Sequence, residues 1–384
     1  MPMLKTKINE EVGTMDINQQ RLVDEFLELV KIDSASKDER LMADALMAKL
    51  EALGFSVSED DTAAKIGGTA GNVIGILEGE KDAPPLLFCA HMDRVHPGLG
   101  IKPQIKDGVI TSDGTTILAA DDIAGVVAIL EAIRIIQEKK LPHGRLEILF
   151  TVAEEGGLYG AKSVDATQFQ AQAGFFMDAG GPVGTIVTAA PAQKGLKATI
   201  HGKAAHAGVA PEDGISAIVI AAEAITKMKL GRIDPETTAN IGVIQGGAAT
   251  NIIPDKVELR GEARSRNNDK LDQQMDSMVA ALNAASARHG VKADISVDHS
   301  YSAFGLTESD YPVQLGVKAA EAIGLQPSIE STGGGSDANI INGYGIPSLV
   351  LGMGYTDVHT TAESISVEQL LVAAKYVLSI IATS

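Results

Sequence analysis

The chain has 384 residues, 45% of them hydrophobic and 21% charged, which is typical of a globular protein and excludes a disordered or fibrous one. This length predicts two domains, or three, each with its own core. Asp and Glu number 50 against 32 Lys and Arg, a net charge of -18. Such a surface repels nucleic acid and anionic membranes and attracts cations.

The single cysteine, Cys89, excludes an intrachain disulfide and lies in an apolar run, where a core role is commoner than a nucleophilic one. No apolar run approaches the roughly 20 residues of a membrane helix, and the first residues lack the apolar core of a signal peptide. We therefore expect a cytoplasmic protein in a reducing compartment, with no nucleic-acid or membrane partner.

The chain opens with two predicted helices and continues with short strands. Apolar residues at 3, 4 spacing predict a helix with Asp16 as its N-cap that extends to Val30. Further apolar patterning predicts a helix at residues 36–53 and strands at 55–59 and 72–77. The uninterrupted run at 86–90 is typical of a strand buried on both faces of a mostly parallel sheet.

Three predicted buried strands end in acidic residues. The strand at 86–90 is followed by His91, Met92 and Asp93, that at 146–153 by Glu154 and Glu155, and that at 173–177 by Asp178. A solvated loop would explain acidic residues after any one of these strands, but it does not explain acidic residues after all three. The carboxyl ends of parallel strands meet at one edge of a sheet, where ligands collect. We therefore expect these side chains to lie close together.

A further acidic pair, Asp121 and Asp122, opens a helix with an apolar stripe from Ile123 to Ile133. Read alone, the pair is a doubled N-cap. Together with the strand ends and His359, it completes a set for two metal ions, which needs two imidazoles and several carboxylates, one able to bridge. That set is His91, Asp121, Glu155, Asp178 and His359. Asp93 remains to orient a ligand and Glu154 to act as the base.

Residues 195–301 follow a different pattern. The predicted order of strands and helices there is β-α-β-β-α-β, which is typical of a ferredoxin-like unit with a four-stranded antiparallel sheet. The α/β pattern resumes after this segment. We therefore predict an inserted lid domain at 195–301 and a discontinuous catalytic domain at 1–194 and 302–384. The catalytic domain is expected to be a mixed, mostly parallel sheet with helices on both faces.

Five motifs now carry a resemblance, namely HMD at 91–93, AADD at 119–122, EEGG at 154–157, MDAGG at 177–181 and HTTAE at 359–363. Five in this order, each after the right element, resemble the aminoacylase, carboxypeptidase G and peptidase T family of di-zinc hydrolases. Three segments, DVHTTAE, GGSDAN and TNIIPDKVELRGEARS, are most similar in sequence to the peptidase T branch. The resemblance spans nearly the whole chain and implies an aminopeptidase that acts on tripeptides.

The resemblance also implies roles for individual residues. One zinc would take His91 and Asp178, the other Glu155 and His359, with Asp121 bridging. Asp93 would orient His91, and Glu154 would be the general base. The family has a cis, non-proline peptide bond after its bridging aspartate, which is expected here between Asp121 and Asp122.

In the inserted domain, GKAAHAGVAP resembles the segment whose histidine stabilises the oxyanion, which assigns that role to His206. GEARS resembles the place of an arginine for the substrate carboxylate, so that Arg264 would pair with it and Asn251 would add a hydrogen bond. Arg260 on the same strand is a rival for that role. The expected partner is a small peptide with a free carboxylate, and the lid domain offers a surface for a homodimer.

Two alternatives stay open at this point. One is an amidohydrolase or deacylase acting on N-acyl amino acids, and the other is a metal-free binding or scaffold protein of the same fold. Carboxylate-rich sites accept several divalent ions, so Co2+ or Mn2+ competes with Zn2+ as the native metal.

Overall fold

The computed structural model describes residues 16–384. Its helices are Gln19–Leu29 (α1), Arg40–Ala52 (α2), Thr62–Ile66 (α3), Ala120–Lys139 (α4), Tyr159–Ser163 (α5), Ala217–Lys227 (α6), Asn268–Arg288 (α7), Tyr311–Ala322 (α8), Asp337–Gly343 (α9) and Val367–Thr383 (α10). Its strands are Ser56–Glu59 (β1), Val73–Leu77 (β2), Leu86–His91 (β3), Gln104–Lys106 (β4), Val109–Thr111 (β5), Leu146–Thr151 (β6), Ala173–Ala179 (β7), Thr185–Ala190 (β8), Ala192–His201 (β9), Gly231–Asp234 (β10), Thr237–Gly246 (β11), Lys256–Ser265 (β12), Ala293–Tyr301 (β13), Phe304–Gly305 (β14), Ser328–Ser331 (β15), Ser348–Gly352 (β16), Tyr355–Thr356 (β17) and Ser364–Ser366 (β18).

The described chain divides into two compact units. Unit 1 contains the described residues up to Thr188 together with Leu306–Ser331 and Ser336–Ser384, and unit 2 contains Ala189–Gly305 and Thr332–Gly335. Each unit has its own hydrophobic core. The insertion predicted at residues 195–301 falls inside the range of unit 2.

Unit 1 is built on a mixed sheet in the order β1-β2-β6-β3-β7-β16-β8, with β15 paired to β8. The four central strands β6, β3, β7 and β16 are parallel, and the outer pairs are antiparallel. Every residue of β3 and β6 is buried, as expected of strands covered on both faces. This confirms the predicted mixed sheet with a parallel centre.

Two sets of helices pack with this sheet. In the first, α10 contacts α1, α4 and α8, α1 contacts α4, and α4 and α8 also contact β7. In the second, α5 contacts α3 and α9, and α9 contacts β7 and β16. Helix α4 is buried almost all round between Ile123 and Ile136, because it lies between the sheet and α10. A sequence that is apolar on every face of a helix fits that place.

The start of α1 corrects the predicted N-cap. The cap is Asn18, whose side-chain oxygen accepts a hydrogen bond from the backbone N–H of Arg21 at 3.1 Å. The prediction of Asp16 was wrong because the cap oxygen must reach the third amide of the helix, which only Asn18 does here.

Unit 2 has an antiparallel sheet in the order β10-β11-β12-β9-β13. Within the same unit, Phe304 and Gly305 of β14 pair with Ala190 and Ala189. Helices α6 and α7 contact each other and the strands β9, β11 and β12. The order β9-α6-β11-β12-α7-β13 is the predicted ferredoxin-like pattern. The edge strand β10 was not predicted, because Gly231–Asp234 is short and half charged. Among the described residues, no helix is both long and apolar enough to cross a membrane.

Candidate metal centre

The five predicted metal ligands all lie in unit 1. His91 is the last residue of β3, Asp178 is the next to last of β7, and Glu155 follows the end of β6. Asp121 lies in the first turn of α4, and His359 lies in the loop between β17 and β18. The parallel register of β3, β6 and β7 places three of the five at one edge of the sheet, as expected.

His91 is held with one ring nitrogen toward the cluster. Its side chain is 3% exposed, and its Nε2 lies 3.0 Å from Oδ1 of Asp121. Its Nδ1 lies 3.0 Å from the backbone carbonyl oxygen of Asp93 and 3.6 Å from the carboxylate of the same residue. The carbonyl therefore makes the hydrogen bond that fixes the ring, and Nε2 is left to bind a cation.

Asp121 lies between the two histidines and offers one oxygen to each side. Its Oδ2 is 3.4 Å from Nε2 of His359, while its other oxygen, Oδ1, makes the contact with His91. The same His359 nitrogen lies 2.8 Å from Oε1 of Glu155. A carboxylate with its two oxygens directed at two separate donor groups has the form that a bridging ligand requires.

The donor atoms form three overlapping groups in which all atoms lie within 4.8 Å of one another. The groups are His91, Asp121 and Asp178; Asp121, Glu155 and His359; and His91, Glu154 and Glu155. The first two share Asp121 and divide the other four ligands as the resemblance implied. Imidazole nitrogen with carboxylate oxygen is a donor set that suits zinc and related divalent ions, so the residues fit a two-metal centre.

The electrostatics of the cluster show an excess of negative charge. Burial, and then the neighbouring carboxylate Asp178, raise the pKa of Glu154 well above its usual range. Burial and then Asp121 do the same to the pKa of Asp178. The hydrogen bond to Asp121, followed by that to Glu155, raises the pKa of His359 to about 10. Without cations, these groups compensate one another by holding protons, which divalent ions would displace.

The carboxylate of Asp93 is engaged by backbone rather than by the imidazole. Its Oδ1 accepts from the N–H of Glu154 at 2.9 Å and its Oδ2 from the N–H of Glu155 at 3.2 Å. The hydroxyl of Ser36 donates to the same Oδ2. Asp93 therefore lies beside His91, as the shared strand face predicted, and also fixes the turn that carries both glutamates.

Two buried acidic groups, Glu363 and Asp122, accept backbone amides around the ligands Asp121 and His91. Glu363, at the end of the HTTAE motif, is 1% exposed and accepts from the N–H groups of Leu118 (2.8 Å), Ala119 (2.9 Å) and Asp121 (3.1 Å). Asp122 accepts from the N–H of His91 at 3.2 Å. The peptide bond between Asp121 and Asp122 is cis, as the resemblance implied. Glu363 belongs to a motif that carries the resemblance, but the resemblance implied no role for this residue.

The three site residues predicted in the inserted domain all lie in unit 2. The exposed His206 and Asn251 are close, since the N–H of Ala207 donates to the carbonyl of Asn251 at 2.9 Å. Arg264 on β12 forms a bidentate pair with Glu262, with nitrogen–oxygen distances of 3.0 and 3.1 Å. Their predicted contacts with substrate stay predictions.

Models of two known peptidase families match parts of this chain. A family model described as "Peptidase dimerisation domain" matches residues 190–290, and one described as "Peptidase family M28" matches residues 72–212. The strand ends, the donor groups and these matches together define a metallopeptidase.

Several relatives match nearly the whole chain. The solved structure of aminopeptidase PepT from Bacillus cereus is 50% identical, with 96% of this chain and 99% of that one covered and a TM-score of 0.89. A tripeptidase structure from Staphylococcus aureus is 43% identical, with 96% and 98% covered and a TM-score of 0.93. A protein of Bacillus subtilis, YqjE, is 46% identical over 95% of this chain and 98% of its own length. The chain therefore belongs to the peptidase T-like metallopeptidases of the M20 family.

Proposed function

We propose that this chain is a di-zinc aminopeptidase that cleaves the first peptide bond of tripeptides. The observation that carries the proposal is the pair of donor groups that share Asp121, because it provides two adjacent cation sites. The substrate class is supported by the names of two relatives, an aminopeptidase and a tripeptidase, that are 50% and 43% identical. Structures named as amidases are 19% or 20% identical and support the fold alone.

In this proposal, His91 and Asp178 would hold one ion, Glu155 and His359 would hold the other, and Asp121 would be the ligand that both groups share. When bound, the two ions would polarise the scissile carbonyl and lower the pKa of the attacking water. Glu154 takes the proton of that water on its carboxylate and passes it to the nitrogen of the leaving amine. A carboxyl group with a raised pKa suits both halves of that transfer.

A pocket of about 290 Å3 borders the cluster at Glu155. Ser36, Arg94, His96 and Leu99 are among the residues that line it. Its position beside a metal ligand suits the side chain of the first substrate residue, and its volume is in the range of small-ligand sites.

The three residues predicted in unit 2 carry the remaining proposed roles. His206 would donate to the oxyanion, and Asn251 and Arg264 would bind the substrate carboxylate, which must compete with Glu262 for the guanidinium. Replacing Arg264 with Ala should raise KM for tripeptides much more than for their C-terminal amides, because only the free acid offers a charge to lose. Arg260→Ala is the matched control, and the reverse result would assign the role to Arg260.

The main experiment combines metal analysis with a substrate panel. Protein purified without chelator should contain two ions per chain, with zinc the most abundant, and should hydrolyse tripeptides faster than dipeptides or N-acetyl amino acids at equal concentration. Glu154→Gln should keep both ions and lose about 10² to 10⁴ in kcat. Faster cleavage of N-acetyl amino acids would favour the deacylase alternative. No bound metal and no hydrolysis with added Zn2+, Co2+ or Mn2+ would favour the scaffold alternative.

Two wider features belong to the same proposal. The match to a dimerisation domain at residues 190–290 supports a homodimer, which light scattering at several concentrations would test. A cytoplasmic location agrees with a single cysteine, Cys89, that is buried and unable to form an intrachain disulfide. Fractionation of cells that express the full chain would test it.

A further inference from the structure

The turn after β6 is held by a carboxylate that the proposed mechanism does not use. Ala153, Glu154 and Glu155 are consecutive, and Ala153 has a positive φ of 50°. The N–H of Ala153 donates to Oε1 of Glu39 at 3.0 Å, while the next two N–H groups donate to Asp93. Three successive amides therefore end on two buried carboxylates, which fixes the direction in which the two glutamates leave the backbone.

Glu39 is an unusual group to find there. It is 0% exposed, and the same Oε1 also accepts from the N–H of Lys37 at 2.6 Å. Its Oε2 is buried and has no hydrogen-bond partner among the described residues. Burial, opposed by these hydrogen bonds and assisted by the charge of Asp93, raises its pKa to about 7. A buried carboxyl group with one unpartnered oxygen costs stability, so we expect Glu39 to have a role other than stabilising the fold.

A helix-capping role does not provide that reason. Glu39 occupies the N-cap position of α2, but its side chain makes no hydrogen bond to the amides of that helix. It points instead to a residue 114 positions further along the chain. The segment from Ser36 to Glu39 thus holds the turn directly, through Glu39 on Ala153, and indirectly, through the Ser36 hydroxyl on Asp93, which accepts the next two amides.

We infer that Glu39 is a positioning residue for the base: by accepting the N–H of Ala153 it sets the turn that presents Glu154 to the substrate and Glu155 to the metal. This inference rests on the role proposed for Glu154. A misplacement of the base by about 1 Å is enough to cost on the order of 100-fold in rate. The effect should fall on kcat, because Glu39 is fully buried and is not among the residues that line the pocket beside Glu155.

The test compares three substitutions at this position. Glu39→Gln keeps an acceptor oxygen on Ala153, whereas Glu39→Ala removes it and Glu39→Asp withdraws it by one methylene. We expect Ala and Asp to lower kcat by about 10- to 100-fold with KM within about threefold, and Gln to stay within about threefold of the wild type in both. Titration with Co2+, followed by its visible absorption, should show an altered site in the Ala variant and a normal one in the Gln variant.

Glu147 provides a matched control in the same unit. It is also 0% exposed, and it accepts backbone N–H groups from Gln170 (2.9 Å) and Ala171 (3.0 Å), on a stretch outside the metal centre. Unlike Glu39 it also pairs with an arginine, Arg145, at 2.7 Å. Glu147→Ala should lower the melting temperature as Glu39→Ala does, but leave kcat per folded molecule and the Co2+ spectrum unchanged.

The possible outcomes separate the inference from the proposed function. A Gln variant as slow as the Ala variant, or an Ala variant with normal kcat, would overturn the inference, and so would an equal loss of kcat in Glu147→Ala. A wild-type chain that hydrolyses no peptide overturns the proposed function instead. In that case the Co2+ titration still decides, because an unchanged spectrum and affinity in Glu39→Ala would overturn the positioning role by itself.

Discussion

Unit 1 contains two groups of buried carboxylates that are neutralised in different ways. Between α1, α2 and α4, Glu131 (0% exposed) pairs with Arg21 at 2.8 Å and Arg134 at 2.9 Å, and Glu25 (7% exposed) pairs with Lys49 at 3.1 Å and with Arg134. At the edge of the sheet, the buried carboxylates meet two histidines and one another. Among the described residues, Asp121, Glu154 and Asp178 form no ion pair with lysine or arginine.

This difference separates structure from function. Where the chain supplies its own arginines and lysines, the buried acids are satisfied as soon as the protein folds. Where it does not, the folded protein holds a concentrated negative charge that only protons or added cations can balance. Buried acids without internal cations therefore mark a metal centre more specifically than buried acids in general.

The largest expected effect comes from removing the shared ligand. Asp121→Asn should weaken both ions, since its two oxygens face both histidines, and should lower kcat by on the order of 1,000-fold or more. Metal content by mass spectrometry and kcat with saturating Zn2+ would check this. If the variant kept two ions per chain at wild-type affinity, Asp121 would not be the bridge.

The second prediction is that neutralising a buried acid destabilises the protein in the arginine-paired group but not in the metal centre. Glu131→Gln should cost about 2 to 4 kcal/mol of unfolding free energy, because two arginines that are only 20% and 28% exposed lose their charged partner. Asp178→Asn in metal-free protein should be neutral or stabilising, because it relieves repulsion. Melting temperatures of metal-free samples would test both, and a loss in Asp178→Asn as large as in Glu131→Gln would contradict the comparison.

Much of the metal centre could be predicted because its signals are local. A short apolar run predicts a buried strand, and the acidic residues that follow the strand are adjacent to that run in the sequence. Parallel pairing then brings the strand ends together without further information. The supporting acids carry no such signal. Glu39 stands in the charged string KDER, which reads as a solvated helix start, and its partner Ala153 is 114 residues away.

Glu363 was missed for the same reason, since it reaches amides 242 to 245 residues earlier in the chain. Asp93 shows a finer limit. Its place beside His91 follows from the period of a strand, but which of its atoms makes the hydrogen bond depends on the turn after β6, and that turn is set by tertiary contacts. Patterns predict which residues meet, and packing decides through which atoms.

The third prediction compares how the free energy of unfolding depends on pH in the wild type and in Glu39→Gln, since Glu39 is a buried acid without a cationic partner among the described residues. The pKa of Glu39 is raised to about 7 in the folded chain, above its usual 4.5, so protonation favours folding. Its contribution is fully present below about 4.5 and is lost as the pH rises through about 7. Relative to Glu39→Gln, metal-free wild type should therefore lose up to about 1.4 kcal/mol per pH unit between about pH 4.5 and pH 7, and little more above that. Parallel curves for the two proteins in denaturant titrations would contradict the raised pKa.

The smallest expected effect concerns the ion pairs of Arg21. It tests whether their contribution to the free energy of unfolding depends on the burial of the acid or only on the presence of the arginine. Arg21 also pairs with Glu138 at 2.5 Å, but the Glu138 side chain is 49% exposed, whereas that of Glu131 is fully buried. Because water and salt screen the outer pair, Glu138→Gln should cost no more than about 0.5 kcal/mol. That cost should vanish in about 1 M NaCl, where the screening length is about 3 Å, while the cost of Glu131→Gln persists. If both substitutions cost the same in denaturant titrations, the charge on Arg21 would set the energy, and the buried position of Glu131 would add nothing.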